Sequence, residues 1–170
     1  MTPGTASAVT RRVTRILSGG QTGVDRAALD WALAHGIEHG GWCPRGRRAE
    51  DGPIDARYRL HETASADYAV RTRRNVAEAD ATLVLNRGPL AGGTLHTIRH
   101  AKRIGRPCLV VALDAPDLDA EVRRTREWWQ ALQAGSLNVA GPRESGRPGI
   151  HGDALAFLEC AFGDADPIDK

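Results

Sequence analysis

The sequence predicts an α/β domain of Rossmann-like type, with a doubly wound, mostly parallel sheet of five strands and helices on both faces. Three observations lead there. Short apolar runs alternate with segments of helical spacing along most of the chain. The first such run, Val13–Leu17, passes directly into Ser18-Gly19-Gly20-Gln21-Thr22-Gly23 and then into a helical pattern, the opening of a nucleotide-binding βαβ unit. A second glycine turn, Gly88–Gly93, follows another buried run, Ala81–Asn86, and again leads into a helix.

In chain order, Val13–Leu17 reads as a buried strand. Val24–His35 is helical, with Val24, Ala27, Ala28 and Trp31 on one face and Asp25 and Arg26 in the first turn. A second strand is expected near Gly40–Cys43. Residues 44–66 are irregular, too long for an ordinary α/β connection, and so read as a functional loop or as short turns. Asp67–Ala79 is helical, Ala81–Asn86 a strand, Thr94–Ile104 a helix closed by Gly105-Arg106-Pro107, and Cys108–Leu113 a strand. Asp119–Ala134 is a helix with a solvated face, Leu137–Ala140 a last strand and Asp153–Phe162 a closing helix. Residues 13–163 form one domain, with loose tails expected at 1–12 and 164–170. If the strand order is 2-1-3-4-5, the first and third strands are neighbours and both glycine loops meet at the switch point.

Composition narrows the function classes. Of the 170 residues, 41% are hydrophobic and 26% charged, as in an ordinary globular chain, and the net charge is only +2. No general electrostatic attraction to nucleic acid or to a membrane surface follows. No apolar run approaches the roughly 20 residues that span a bilayer, and the first dozen residues lack a signal-peptide core. Cys43, Cys108 and Cys160 are odd in number and far apart, with neither disulfide nor zinc spacing. A reduced, cytoplasmic setting is expected.

The two loops are candidate phosphate sites. A helix N-terminus offers free N–H groups and a partial positive charge, and glycine lets an anion come close to the backbone. Gly19, Gly20, Gln21, Thr22 and Gly23, with Asp25 and Arg26, form the first site; Gly92, Gly93 and Thr94 form the second, with Thr94 also able to cap its helix. Neither loop is GxGxxG or a P-loop. Trp42, followed by Arg45, Arg47 and Arg48, reads either as a stacking platform for a planar anion or as a core tryptophan beside solvated arginines. Arg71 and Asn75 share a helical face that can reach the crevice, and Arg143, Glu144 and Ser145 are rim candidates beyond the last strand. His96 and His100 have metal spacing but no third ligand, so no metal site is expected.

These segments resemble the molybdenum carrier family. The likeness is carried by Ser18–Asp30, Gly40–Gly52, Tyr58–Glu62, Arg71–Val76, Gly92–Thr94 and Leu137–Ser145, and runs from about Val13 to Phe162. That family lies within a Rossmann-like group that also holds the cytokinin-activating phosphoribohydrolases, often misnamed lysine decarboxylases. The resemblance implies a binding or carrier protein whose phosphorylated ligand, a molybdenum cofactor (molybdopterin) or a related nucleotide, lies across the two loops. The phosphoribohydrolases carry PGGxGTxxE. Here Leu90-Ala-Gly-Gly-Thr-Leu-His-Thr97 puts Thr97 where their glutamate stands. A threonine is no carboxylate base, so no catalytic residue is expected. A nucleotide-processing enzyme using Asp25 or Glu62, and a nucleotide-sensing module, are the other readings. A homo-oligomer is the expected state.

Overall fold

The computed structural model describes residues 10–163. The elements are β1 (Arg15–Leu17), α1 (Val24–Ala34), β2 (Glu38–Gly40), β3 (Trp42–Cys43), β4 (Arg48–Ala49), β5 (Gly52–Pro53), β6 (His61–Glu62), α2 (Tyr68–Glu78), β7 (Ala81–Asn86), α3 (Gly92–Arg103), β8 (Cys108–Ala112), α4 (Leu118–Ala131), β9 (Ser136–Ala140) and α5 (Ile150–Phe162). Five strands form one sheet in the order β2-β1-β9-β7-β8, and every pairing in it is parallel. Helices α1, α4 and α5 pack together, and α2 packs on α3. The α/β Rossmann-like class is as expected.

The strand order corrects one expectation. The first and third strands of the sheet, β1 and β7, are not neighbours: the last strand, β9, lies between them, pairing Leu17 with Asn138 on one side and Leu83 with Val139 on the other. If β9 and α5 stood first in the chain, the order would read 3-2-1-4-5, that of a dinucleotide-binding Rossmann half extended on the far side. The topology is therefore a circular permutation of that arrangement, with the usual first strand moved to the carboxyl end.

Local chemistry explains the elements that place the site. All six residues of β7 are buried, as expected for a strand covered on both faces. Helix α1 turns Val24, Ala27, Ala28 and Trp31 into the main core, where they meet Ile150, Ala154, Phe157 and Leu158 of α5. Asp67 and Asp117 cap α2 and α4 by accepting from Ala69 N and Ala120 N, each at 2.9 Å. Helix α3 begins two residues earlier than expected, at Gly92, so Thr94 lies inside its first turn and is not its cap.

The expected second strand is split in two. Glu38–Gly40 joins the main sheet, then the chain turns at Gly41 (φ 121°) and Trp42–Cys43 pairs with β6 in a separate small sheet. A Cβ on Gly41 would stand 2.9 Å from Asn75 Oδ1 and from Ser18 N, so the turn is tight. The segment 44–66 is also more ordered than an irregular loop. It forms the β4–β5 hairpin and buries Cys43, Ala49, Ile54 and Tyr58 against Leu29 as a second small core. Arg47 (φ 54°) holds it from within, donating to the carbonyls of Ile54, Asp55 and Tyr58, each at 2.8 Å. Of the expected tails, 1–9 and 164–170 lie outside the described residues. Arg11 is fastened to α4: its N–H donates to Gln130 Oε1 at 2.7 Å, and Gln130 Nε2 donates back to its carbonyl at 2.8 Å.

Candidate functional site

The switch point lies between β9 and β7. From β9 the chain runs into α5 on one face of the sheet, and from β7 into α3 on the other, so a crevice opens at their carboxyl ends. A cavity of about 460 Å³ occupies it. The first loop reaches it with Gly19, Gln21 and Asp25, α2 with Tyr68, Arg71 and Asn75, α3 with Gly92, Gly93, Thr94, His96 and Thr97, and the β9–α5 loop with Gly141, Arg143 and Arg147. The two glycine loops therefore share a cavity, although β9 separates the strands that carry them.

The glycines of the two loops do different things. Those of the first loop are closed in by the protein's own atoms, side chains at Gly19 and Gly20 and backbone at Gly23. A Cβ on Gly19 would stand 2.6 Å from Arg71 Cζ, and one on Gly20 2.7 Å from Leu60 Cδ1. One on Gly23 (φ 80°) would stand 2.8 Å from Glu144 N. By contrast, a Cβ on Gly92 or Gly93 would meet nothing within 4 Å; Gly92 (φ 53°) is favoured by its own backbone conformation, and Gly93 by neither packing nor φ. The N-cap of α3 is Ala91, whose side chain caps nothing, and the first backbone bond into the helix is Leu95 N to Ala91 O at 3.3 Å. The N–H groups of the first turn thus face open space beside the cavity.

The remaining polar groups are arranged in two ties. Asp25 accepts from Gln21 N (3.3 Å) and faces Arg71 Nη1 at 3.5 Å, while Arg71 donates to Gly19 O at 2.5 Å. Burial raises the Asp25 carboxyl above the usual range, and Arg71 works against that shift. Glu50, on the β4–β5 hairpin, binds both flanking loops: it accepts from the Thr22 hydroxyl and from Ser145 N (3.1 Å) and Oγ (2.5 Å), with Arg143 at 3.9 Å. Burial opposes its charge, but the bonds from Ser145 and Thr22 outweigh burial and hold its carboxyl below the ordinary value.

Three buried polar atoms on residues lining the cavity have no partner: Gln21 Nε2, Asn86 Oδ1 and His96 Nε2. Such atoms are costly to leave unmet in a closed interior. Gln21 is the clearest. Its Oε1 accepts from both Thr22 N (3.0 Å) and Glu50 N (2.9 Å), which fixes the amide orientation and leaves the NH₂ as the free end.

Of the residues singled out from sequence, Gly19, Gln21, Asp25, Arg71, Gly92, Gly93 and Thr94 line the cavity. Gly20, Thr22, Gly23, Arg26 and Trp42 do not. Arg26 donates to Gly20 O and to Asp51, and so braces the first loop from behind. Trp42 is held on the outer side of α2, its indole N–H donating to Glu78 Oε1 (2.7 Å) and Arg74 lying 4.2 Å over its ring. Glu62 accepts from Gly46 N at 2.6 Å, also outside the cavity. Thr97, whose hydroxyl donates to Gly93 O at 2.9 Å, lines it together with His96. Tyr68, Asn86 and Arg147 were missed. Asn86 carried a signal, a polar residue ending an otherwise apolar strand. Among the described residues, no group of three or more His, Cys, Asp or Glu is disposed to hold a metal, and no helix is long and apolar enough to cross a membrane.

Fold and crevice together define a Rossmann-like α/β domain whose first strand has been moved to the end. The chain belongs to the circularly permutated YpsA SLOG family, whose model matches residues 16–162. It is similar to the crystal structure of the protein named "putative molybdenum carrier protein" from Syntrophus aciditrophicus SB. The two are 40% identical with a TM-score of 0.87, over 89% of this chain and 96% of that one. No curated protein matches the chain.

Proposed function

We propose that this protein binds and carries a phosphorylated small molecule of the molybdenum-cofactor or nucleotide kind, with the phosphate on the first turn of α3. The open space at Gly93 carries the reading: neither a neighbour in the protein nor its own backbone conformation requires glycine there, whereas an anion approaching the backbone does. The relative named for molybdenum carriage supports the cofactor as cargo. The cavity volume falls within the roughly 300–1,000 Å³ common for small-molecule sites. Its donors suit a phosphate and a polar ring. They include no thiolate or histidine cluster, so a molybdenum centre would keep its own ligands and be held through the organic part. The three free cysteines, Cys43, Cys108 and Cys160, agree with work in the cytoplasm.

Carriage is favoured over cleavage of a glycosidic bond by Thr97, whose hydroxyl is tied to Gly93 O where a hydrolase needs a carboxylate. Asp25 supports the second reading, since it is a carboxyl in the same cavity with a raised pKa. The test is to release whatever small molecule copurifies by mild denaturation and identify it by mass spectrometry. A phosphorylated pterin or a nucleotide is the expected result. A preparation that is empty, and that binds neither class when they are added back, would overturn the proposal.

A further inference from the structure

Three guanidinium groups surround one half-buried ring, Tyr68, and two of them, Arg71 and Arg143, line the cavity with it. Arg48 lies 5.1 Å, Arg71 5.3 Å and Arg143 5.4 Å from the centroid of Tyr68. Two carboxylates face them, Asp25 at 3.5 Å from Arg71 and Glu50 at 3.9 Å from Arg143, and both are engaged by other donors. Arg48 has no ion pair among the described residues. The free NH₂ of Gln21, 4% exposed, is an unmet donor on the lining of the same cavity. A cluster with surplus cations and an unmet buried donor is built for an acceptor with negative charge.

Resting on the proposed function, we infer that the cavity holds an elongated ligand with two anionic ends, one on the first turn of α3 and the other between Gln21, Arg71, Arg143 and Tyr68. The first loop leaves β1 and the second leaves β7, with β9 between them. At about 4.8 Å per strand the two ends are about 10 Å apart. A simple monophosphate fills one end only. A dinucleotide-like diphosphate or a phosphorylated pterin bearing an anionic metal-oxo group fills both.

Tungstate is the probe. The full chain is dialysed against sodium tungstate, and crystals soaked in it are measured at the tungsten edge. Two ions per chain are expected, with anomalous peaks in the cavity about 10 Å apart. In Arg48→Gln/Arg143→Gln the second site weakens on the order of tenfold or more, while the ion at Gly92–Thr94 stays. A single peak at α3 in the wild type, or a double variant that keeps both ions, overturns the two-ended ligand and leaves the proposed function standing. No tungstate in the cavity overturns both. Thermal stabilisation by ADP-ribose and by cofactor released from a molybdoenzyme separates the two sources. The double variant should lose the stabilisation given by the true one, and equal stabilisation of wild type and variant by both would count against the inference.

Discussion

Gly23→Ala separates the glycines that pack the protein from those that face the ligand. Gly23 sits at φ 80°, ψ −128°, a region nearly closed to residues with a side chain. Such strain costs about 1–3 kcal/mol. The new methyl would stand 2.8 Å from Glu144 N and 2.9 Å from Arg143 C, and closer still to Pro142 O. These are backbone atoms, so the β9–α5 loop must shift, which brings the total to about 2–4 kcal/mol. For a chain of this size each kcal/mol moves the melting temperature by roughly 2–4 °C, so a drop of about 5–15 °C is expected. Urea unfolding followed by circular dichroism should show the same loss with an unchanged slope. Gly93→Ala is the control. Its Cβ meets nothing within 4 Å, and alanine is favoured over glycine within a helix by about 0.5–1 kcal/mol, so stability holds or rises slightly. The reasoning fails if Gly23→Ala melts within 2 °C of wild type, or if both variants fall together.

Gly93→Asp should leave the melting temperature unchanged or raise it, since a carboxylate suits a helix N-terminus, while affinity for adenosine monophosphate by calorimetry falls on the order of tenfold or more; unchanged affinity with a lower melting temperature would make the turn purely structural. Because the Glu50 carboxyl is held low in the folded state, its contribution is present above its ordinary value of 4.5 and is lost as pH falls below that value. Melting temperature should drop across that window, and Glu50→Gln should flatten part of the drop; an identical pH profile would remove Glu50 as the tie between the loops. Wild-type protein should release no ribose 5-phosphate from adenosine monophosphate, as expected when a step worth about 10²–10⁴-fold lacks its carboxylate, with Thr97→Glu as the gain-of-function trial. Robust release abolished by Asp25→Asn would move the chemistry to that carboxyl. A permutant opened at Gln133, with Lys170 joined to Met1, should fold to the same sheet and bind the same anions, because Thr10 and Gly163 border one cavity of about 390 Å³ and the joined ends have only to span it; an unfolded or non-binding permutant would refute the permuted-strand account.

What sequence could reveal depended on whether the signal was local. The buried run Ala81–Asn86, the amphipathic face of α1 and the glycine turns are set within a few residues, and each appears in the structure close to where its pattern put it. Strand order is a different kind of fact. Nothing in Ser136–Ala140 says that it lies between β1 and β7, because a parallel strand buried on both faces reads the same at the centre of a sheet as near its edge. The consequence for the site is specific. With β9 in the middle, the loop after it becomes a wall of the cavity, so Arg143 and Arg147 face a space whose other side is α3. The glycines of the first loop are closed in by Arg71, Leu60 and the backbone at 142–144, while Gln21 of the same loop still lines the cavity. Trp42 shows the same limit from another direction. A tryptophan followed by arginines is equally consistent with a ligand platform and with a structural ring, and its contacts with Glu78 and Arg74 come from a neighbouring helix that the local sequence does not reveal. The glycines that remain open, Gly92 and Gly93, could be told apart from Gly19, Gly20 and Gly23 only by asking what a Cβ would touch, and that depends on residues remote in sequence. For this chain, Gly93 is the position where neither packing nor backbone conformation calls for glycine and an anion has open access to the main chain.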